Sequence, residues 1–330
     1  MEVTPAVHFY SSVLMEIRHG VELKKLSNFK IGGSADNFLA ASSASELAEG
    51  LKEWRRSERW WSRKGDIFIL GGGTNILWSD RGFRGLVVKP EIAVLERDGN
   101  LVRAGAGVSM ENLLRFAAEG ELSGLEWAGG LPGTVGGAVF GNAGAFGGET
   151  KDSLREVLSV DLQTFATHRR SAEECEFSYR NSIFRRRRGE EMILEAVFEL
   201  NPGDKADIYR GMEEKIRYRE ERQPLEHPNA GSIFKNVPAE DFSPEIIERY
   251  RLNIKTDPFP VIPTARLISE AGLRGLSLGG AMVSPKHPNF IVNVLDATSA
   301  DVAGLIGVVK ASVRERFGVE LEEEVLNLHR

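Results

Sequence analysis

A chain of mixed strands and helices, in two or three domains, is what the sequence predicts, and three observations predict it. Its 330 residues suffice for more than one core. Short runs rich in β-branched residues alternate with stretches of helical spacing. Glycine clusters stand at the ends of predicted strands, where ligands bind in α/β sheets.

Taken in order, residues 1–20 carry little pattern and form a preamble. Leu26–Ser34 reads as a strand entry followed by the pair Gly32-Gly33, and Leu47, Leu51 and Trp54 give Ser45–Trp61 helical spacing. Ile67–Leu70 is a strand running straight into Gly71-Gly72-Gly73-Thr74-Asn75; Leu86–Lys89 is another. Glu91–Val108 reads as a hairpin turning at Asp98-Gly99. Ser109 caps a helix that carries Leu113, Leu114 and Phe116 and stops near Gly120. Val157–Leu162 and Met192–Leu200 are strands flanking Phe177–Phe184, and Asn201-Pro202-Gly203-Asp204 is the predicted domain boundary. Beyond it come a charged helix, Ala206–Glu221, a turn-like Asn229–Asn236, and a short helix, Thr264–Ala271. A strand, Phe290–Val294, precedes a helix capped by Ser299 and stopped by Gly318, and Val319–Leu328 is the last strand. The expected domains are 21–88, 89–203 and 204–330.

Between Gly124 and Glu149, ten of 26 residues are glycine. Glycine costs conformational entropy, so this density implies positive φ angles or a backbone or ligand within contact distance. Leu125, Trp127, Leu131, Val135, Val139 and Phe140 are too apolar for a solvated linker. The reading is a cradle whose backbone N–H groups hold a phosphate-bearing cofactor.

Composition excludes several other classes. With 42 Lys and Arg against 48 Asp and Glu, the net charge of −6 argues against nucleic-acid binding. Arg185–Arg188 accordingly reads as a solvated hairpin edge. Cys175 is the only cysteine, which rules out an internal disulfide and fits a reducing, cytoplasmic location. No apolar run is long enough to span a membrane, and no signal peptide is read at the N-terminus. The six histidines lack metal-ligand spacing, so no metal is expected. His287 reads as a turn or strand-edge residue. P-loop, Rossmann and Gly-x-Ser-x-Gly patterns are all missing.

Several separated segments, in order, resemble the UDP-N-acetylenolpyruvoylglucosamine reductase family. They are Asn28-Phe-Lys-Ile-Gly-Gly33, Leu70-Gly-Gly-Gly-Thr-Asn-Ile-Leu77, Gly130-Leu-Pro-Gly-Thr-Val-Gly-Gly-Ala138 and Gly141-Asn-Ala-Gly144. Ser178-Tyr-Arg-Asn-Ser-Ile-Phe184, Asn229-Ala-Gly-Ser-Ile-Phe-Lys-Asn236, Ala271-Gly-Leu-Arg-Gly275, Gly279-Gly-Ala281, Asn289-Phe-Ile-Val-Asn293 and Leu321-Glu-Glu-Glu-Val325 continue the series. The match runs from about residue 24 to 328. The short interval between Arg180 and Ser232 resembles the branch without an extra loop insert.

The resemblance implies an α+β fold: a two-subdomain FAD-binding unit of the vanillyl-alcohol-oxidase/PCMH type, followed by a C-terminal substrate-binding domain. It implies FAD and NADPH as cofactors, a small-molecule substrate (UDP-N-acetylglucosamine enolpyruvate), and a monomer that binds neither nucleic acid nor membrane. The cofactor-binding residues carried over are Ile31, Gly71, Gly72, Gly73, Thr74, Asn75, Gly129, Gly130, Pro132, Gly133, Thr134, Gly136, Gly137, Gly141 and Asn142. Tyr179, Gln223, Lys235 and Asn236 are expected at the substrate's diphosphate or at NADPH. Phe146 stands where the family often has tyrosine, Val237 where it often has proline, and Met282 where it often has a polar residue.

Adding hydride to an enolpyruvyl double bond builds negative charge that spreads into the carboxylate, so a cation and a proton donor are needed. On residue pattern alone Arg180 reads as a functional cation, Ser232 as a cap or turn residue, and Glu324 as a solvated strand edge. The resemblance makes Arg180 the catalytic arginine, Ser232 the proton donor with Lys235 a candidate stabiliser, and Glu324 the glutamate that stabilises or protonates the intermediate. Two other readings remain at this stage: a flavin oxidase of the same fold, and an inactive nucleotide-sugar-binding module.

Overall fold

The computed structural model describes residues 16–56, 67–256 and 259–328. The reading of residues 1–15 as a preamble, and of the first helix beyond Arg56, lies outside the described residues.

The first sheet contains β1 (Arg18–Glu22), β2 (Ser34–Ala41), β3 (Ile67–Ile69) and, after the short β4 (Ile76–Trp78), β5 (Phe83–Pro90). Its order is β1-β2-β5-β3, with β2, β5 and β3 parallel. Leu39, Leu86, Val87 and Val88 are fully buried, as parallel strands covered on both faces require. Helix α1 (Ala44–Arg56) crosses between β2 and β3 and buries Leu47, Leu51 and Trp54, an i, i+4, i+7 stripe. Truncating Leu51 to alanine there costs about 2–5 kcal/mol. Contrary to the strand expected over Leu26–Ser34, Leu23–Leu26 is a 3-10 turn and the strand begins only at Ser34.

The second sheet is antiparallel. The predicted hairpin is β6 (Leu95–Asp98) and β7 (Leu101–Gly105), with Gly99 at φ +60° in its turn. Helix α2 (Met110–Glu119) follows, and Ser109 Oγ accepts from Asn112 N at 3.1 Å as the predicted cap. Helix α3 (Val135–Gly141) lies in the glycine segment. β8 (Leu154–Asp161), β9 (Thr167–Ser171) and β10 (Glu191–Glu199) complete the order β9-β8-β10-β7-β6. Val160, Leu162, Met192 and Leu194 pack with Leu39, Leu51 and Val88, so the first two sheets share a core.

At the predicted boundary, Asn201–Asp204, the chain stays attached to what precedes it. Asn201-Pro202 pairs with Leu122-Ser123, and Asp204 caps helix α4 (Lys205–Arg222). That helix packs back on the second subdomain: a Cβ on Gly129 would sit 2.5 Å from Met212 O. The charged composition of α4 hides this attachment, because small residues on its partner make it.

The third sheet has order β11-β14-β13-β12, from β11 (Asn229–Ser232), β12 (Ser277–Leu278), β13 (Ala281–Val283) and β14 (Phe290–Asn293). Helices α5 (Thr264–Glu270) and α6 (Ser299–Phe317) cover it. The cap of α6 is Thr298, not Ser299: Thr298 Oγ1 accepts from Asp301 N at 3.1 Å, and Ser299 Oγ instead donates to Asp80 at 2.6 Å. Of the predicted last strand only β15 (Leu326–Leu328) is regular, and it lies parallel to β4. Phe29, Ile31 and Leu77 enter the core of this third unit.

Candidate active site

The loop after β3 and the glycine segment around α3 meet face to face. A Cβ on Gly72 would lie 2.8 Å from Gly133 Cα, and one on Gly71 would lie 3.0 Å from Thr134 Oγ1. Gly73 is required by its φ of +68° and by Leu26 O, 1.9 Å from where its Cβ would be. Among the described residues, the backbone N–H groups of Gly71, Gly72, Gly73, Thr74 and Asn75 donate to no acceptor. Consecutive unsatisfied amides of this kind form a receptor for a phosphate. Beside them is a cavity of about 820 Å³, within the range of ligand sites. Phe68, Ile69, Pro90, Phe184 and Ile193 give it an apolar wall.

Arg180, Ser232 and Glu324 all stand on the wall of this cavity. Arg180 sits at φ +54° in a tight turn closed by Ser178 N to Asn181 O at 3.1 Å. Ser232 ends β11 opposite Phe290, after Gly231 at φ +77°. Glu324 arrives on a segment held from both sides. Its N donates to Ile233 O at 2.8 Å, its O accepts from Asn75 Nδ2 at 3.2 Å, and Leu326 N donates to Asn75 O at 3.1 Å. The C-terminal segment thereby laces the Ser232 loop to the triple-glycine loop.

Arg180 Nε donates to Glu324 Oε1 at 2.8 Å and Nη2 to Gly144 O at 2.7 Å. Both side chains of the pair are about four-fifths buried, at 19% and 18% exposure. Burial alone would lower the Arg180 pKa, but Glu324, Tyr179 and Glu149 together outweigh it and hold the guanidinium above its ordinary value. Burial pushes the Tyr179 phenol up, which keeps it neutral. Ser232 Oγ has no hydrogen-bond partner among the described residues, whereas Lys235 Nζ is taken by Glu322 at 2.5 Å. Lys235 is therefore engaged away from the serine it was expected to assist.

Most of the cofactor residues expected from sequence line the cavity: Gly71–Asn75, Gly130, Pro132, Gly133, Thr134, Gly136, Gly137 and Gly141. Ile31, Gly129 and Asn142 do not. Ile31 is buried in the third core, Gly129 is pressed against α4, and Asn142 is a buried cap at φ +42° bonding Glu149 and Ser178 O. Gln223 is on the wall. Tyr179, Lys235 and Asn236 form a cluster beside it, where the Tyr179 hydroxyl accepts from Asn236 N at 3.4 Å.

Only part of the arginine run is the solvated edge that its sequence suggests. Arg185 and Arg188 line the cavity, and Arg185 Nη2 donates to Glu324 O at 3.1 Å; Arg186 pairs with the exposed Glu176, and the half-exposed Arg187 pairs with Glu191, a buried residue of the wall. One turn of helix over Ile183–Arg186 splits the run between two faces, which net charge does not reveal. Arg219, also on the wall, was missed because it lies in a helix of uniformly charged composition.

An amide-lined glycine cradle beside an apolar cavity, with a cation, a carboxylate and a hydroxyl on its wall, suits a flavin-dependent oxidoreductase. The residues present fit FAD: the amides of Gly71–Asn75, which donate to no acceptor among the described residues, would hold its diphosphate, and apart from its own helix and chain neighbours no described atom stands within 4 Å of a Cβ on Gly141 at the wall. Comparison with known proteins makes the class specific. Residues 36–164 match the model of an FAD binding domain, and residues 223–328 match that of the UDP-N-acetylenolpyruvoylglucosamine reductase C-terminal domain. The chain belongs to the UDP-N-acetylenolpyruvoylglucosamine reductase family. It is 38% identical over 311 residues to the reductase of Lachnoclostridium phytofermentans, covering 92% of this chain and 90% of that one. It is 38% identical over 310 residues to that of Pseudothermotoga lettingae, covering 94% and 97%. The crystal structure of the Thermus caldophilus reductase superposes with a TM-score of 0.73 at 30% identity, over 95% of this chain and 99% of that one. Among the described residues no helix is long and apolar enough to cross a membrane.

Proposed function

We propose that the chain reduces the enolpyruvyl ether of UDP-N-acetylglucosamine to the lactyl ether of UDP-N-acetylmuramate, a step of peptidoglycan precursor synthesis. FAD, which the amides of Gly71–Asn75 would hold by its diphosphate, would supply the hydride when bound and would take it from NADPH. The observation that carries the residue roles is the meeting of Arg180, Ser232 and Glu324 on one cavity wall next to the glycine cradle.

The hydride adds to the terminal carbon of the double bond, and the electron pair moves to the neighbouring carbon and its carboxylate. Arg180, charged and largely shielded from water, stabilises that charge where the local dielectric is low. Glu324 holds the guanidinium through Nε and leaves Nη1 for the substrate. Ser232 delivers the proton that completes the lactyl carbon, its hydroxyl being uncommitted to any described neighbour. Tyr179, Gln223, Lys235 and Asn236 form the adjoining shelf for the nucleotide diphosphate. We assign the protein to the cytoplasm, as a monomer, which suits a substrate and reductant that are both soluble nucleotides.

Ser232→Ala is the test, by stopped-flow of the two half-reactions. Flavin reduction by NADPH should stay within about twofold, and reoxidation by the enolpyruvyl substrate should slow by at least about 100-fold. Equal loss in both halves would remove Ser232 from the proton-donor role.

A further inference from the structure

Beside Arg180, the cavity wall carries a second buried guanidinium, Arg219, which has no counter-charge among the described residues. Arg219 is only 7% exposed and forms no ion pair among the described residues. Its Nε donates to Gly129 O at 2.9 Å, while its Nη2 is buried without a hydrogen-bond partner. A buried cation left in this state bears the full loss of its hydration. The group is nonetheless kept in place. Gly130, at φ +70°, lets the Arg219 stem approach to 3.1 Å of where a Cβ would be, and the guanidinium lies 5.2 Å from the Phe146 ring centroid.

Phe146 is itself in an unusual state. It is 40% exposed and sits at φ +52°, a left-handed conformation unfavourable for a non-glycine residue. Such a conformation persists where the surroundings hold it. Its ring packs edge-on to Tyr218 at 5.2 Å and also faces Lys215 Nζ at 5.5 Å. The aromatic ring stands where it can fix the planar cation against the glycine arm.

We infer that Arg219 is a further ligand-binding residue of the cavity, taking an oxyanion on its unpaired Nη2, and that Phe146 is the positioning residue that holds the guanidinium there. Burial, with the nearby Arg180 charge, brings Arg219 down to about 10, so it stays a cation at neutral pH and still needs an anion. A carboxylate or diphosphate of the sugar nucleotide and the diphosphate of FAD present the same oxygens to it. The inference rests on the reductase reading for the sugar nucleotide but is tested by binding alone, so a failure of turnover in the unmodified enzyme would not be mistaken for its failure.

The variants are Arg219→Met, Arg219→Lys, Phe146→Ala and Phe146→Tyr. FAD affinity is read by quenching of flavin fluorescence, UDP-N-acetylmuramate affinity by perturbation of the flavin spectrum in the FAD-loaded enzyme, and folding by thermal denaturation. R219M should keep or raise the unfolding temperature of the flavin-free protein, because it removes an unpaired buried charge. It should weaken one of the two ligands at least tenfold, and which one weakens identifies the source of the oxyanion. R219K, which keeps the charge and loses the fork, should fall between R219M and the unmodified protein. F146A should weaken the same ligand, and F146Y should restore it. If R219M and R219K both leave the two affinities within twofold, or if R219M lowers stability without changing affinity, Arg219 is a packing residue. F146A with unchanged affinity would remove Phe146 from the positioning role.

Discussion

Gly141→Ala separates ligand space from protein packing. Gly141 closes α3, its φ is not in the left-handed region, and apart from its own helix and chain neighbours a Cβ built on it meets no described atom within 4 Å although the residue lies on the cavity wall. Without ligand, the added methyl should be neutral or stabilising by up to about 1 kcal/mol, the helix-propensity difference between alanine and glycine. With FAD, it occupies space the cofactor needs. A methyl forced into a close-packed contact costs about 1–3 kcal/mol, which is roughly 5- to 150-fold in affinity. Gly72→Ala is the contrasting case. Its Cβ would meet Gly133 Cα at 2.8 Å, so the two glycine arms must separate, and both stability and FAD affinity should fall. Urea unfolding of the flavin-free protein and flavin-fluorescence titration measure the two quantities. FAD binding by G141A at unmodified affinity would mean that the cofactor does not lie against the end of α3, and the cradle argument would be wrong there.

Two further outcomes follow from burial. Burial drives the Cys175 thiol up to about 12, despite the opposing Arg170 charge, so the folded protein should resist alkylation at pH 8 and react only on unfolding. Rapid labelling of native protein by iodoacetamide would contradict this. Burial holds His287 below its ordinary 6.5, so as pH falls below 6.5 the unfolded chain takes up a proton that the folded chain refuses. Stability associated with the neutral ring is therefore present above pH 6.5 and is lost as pH falls from there toward the depressed value. Urea midpoints at pH 7.5 and 5.5 should drop more for the unmodified protein than for His287→Gln; parallel slopes would refute the assignment.

The elements legible in the sequence are those whose own residues specify them. Ser109 caps α2, Asp98-Gly99 turns the β6–β7 hairpin, and Leu47, Leu51 and Trp54 mark the buried stripe of α1, because capping, positive φ and helical periodicity act within a few residues. The glycine cradle was legible for the same reason: absence of side chains is a property of the sequence itself. β4 escaped notice because three residues, Ile76–Trp78, carry too little pattern, and its partner β15 lies some 250 positions away.

What the sequence by itself determined is the stock of local pieces and, through its ordered motifs, the family and its chemistry. Tertiary structure alone decided which charges meet. Glu324 pairs with Arg180 although its neighbours Glu322 and Glu323 bind Lys235 and Lys310. Arg185 and Arg188 face the cavity while Arg186 pairs with the exposed Glu176, and Arg219 is buried within a helix that reads as strongly charged. A side chain's charge is written in its identity, but its desolvation and its partner depend on elements packed against it from elsewhere in the chain, and those are set by long-range packing.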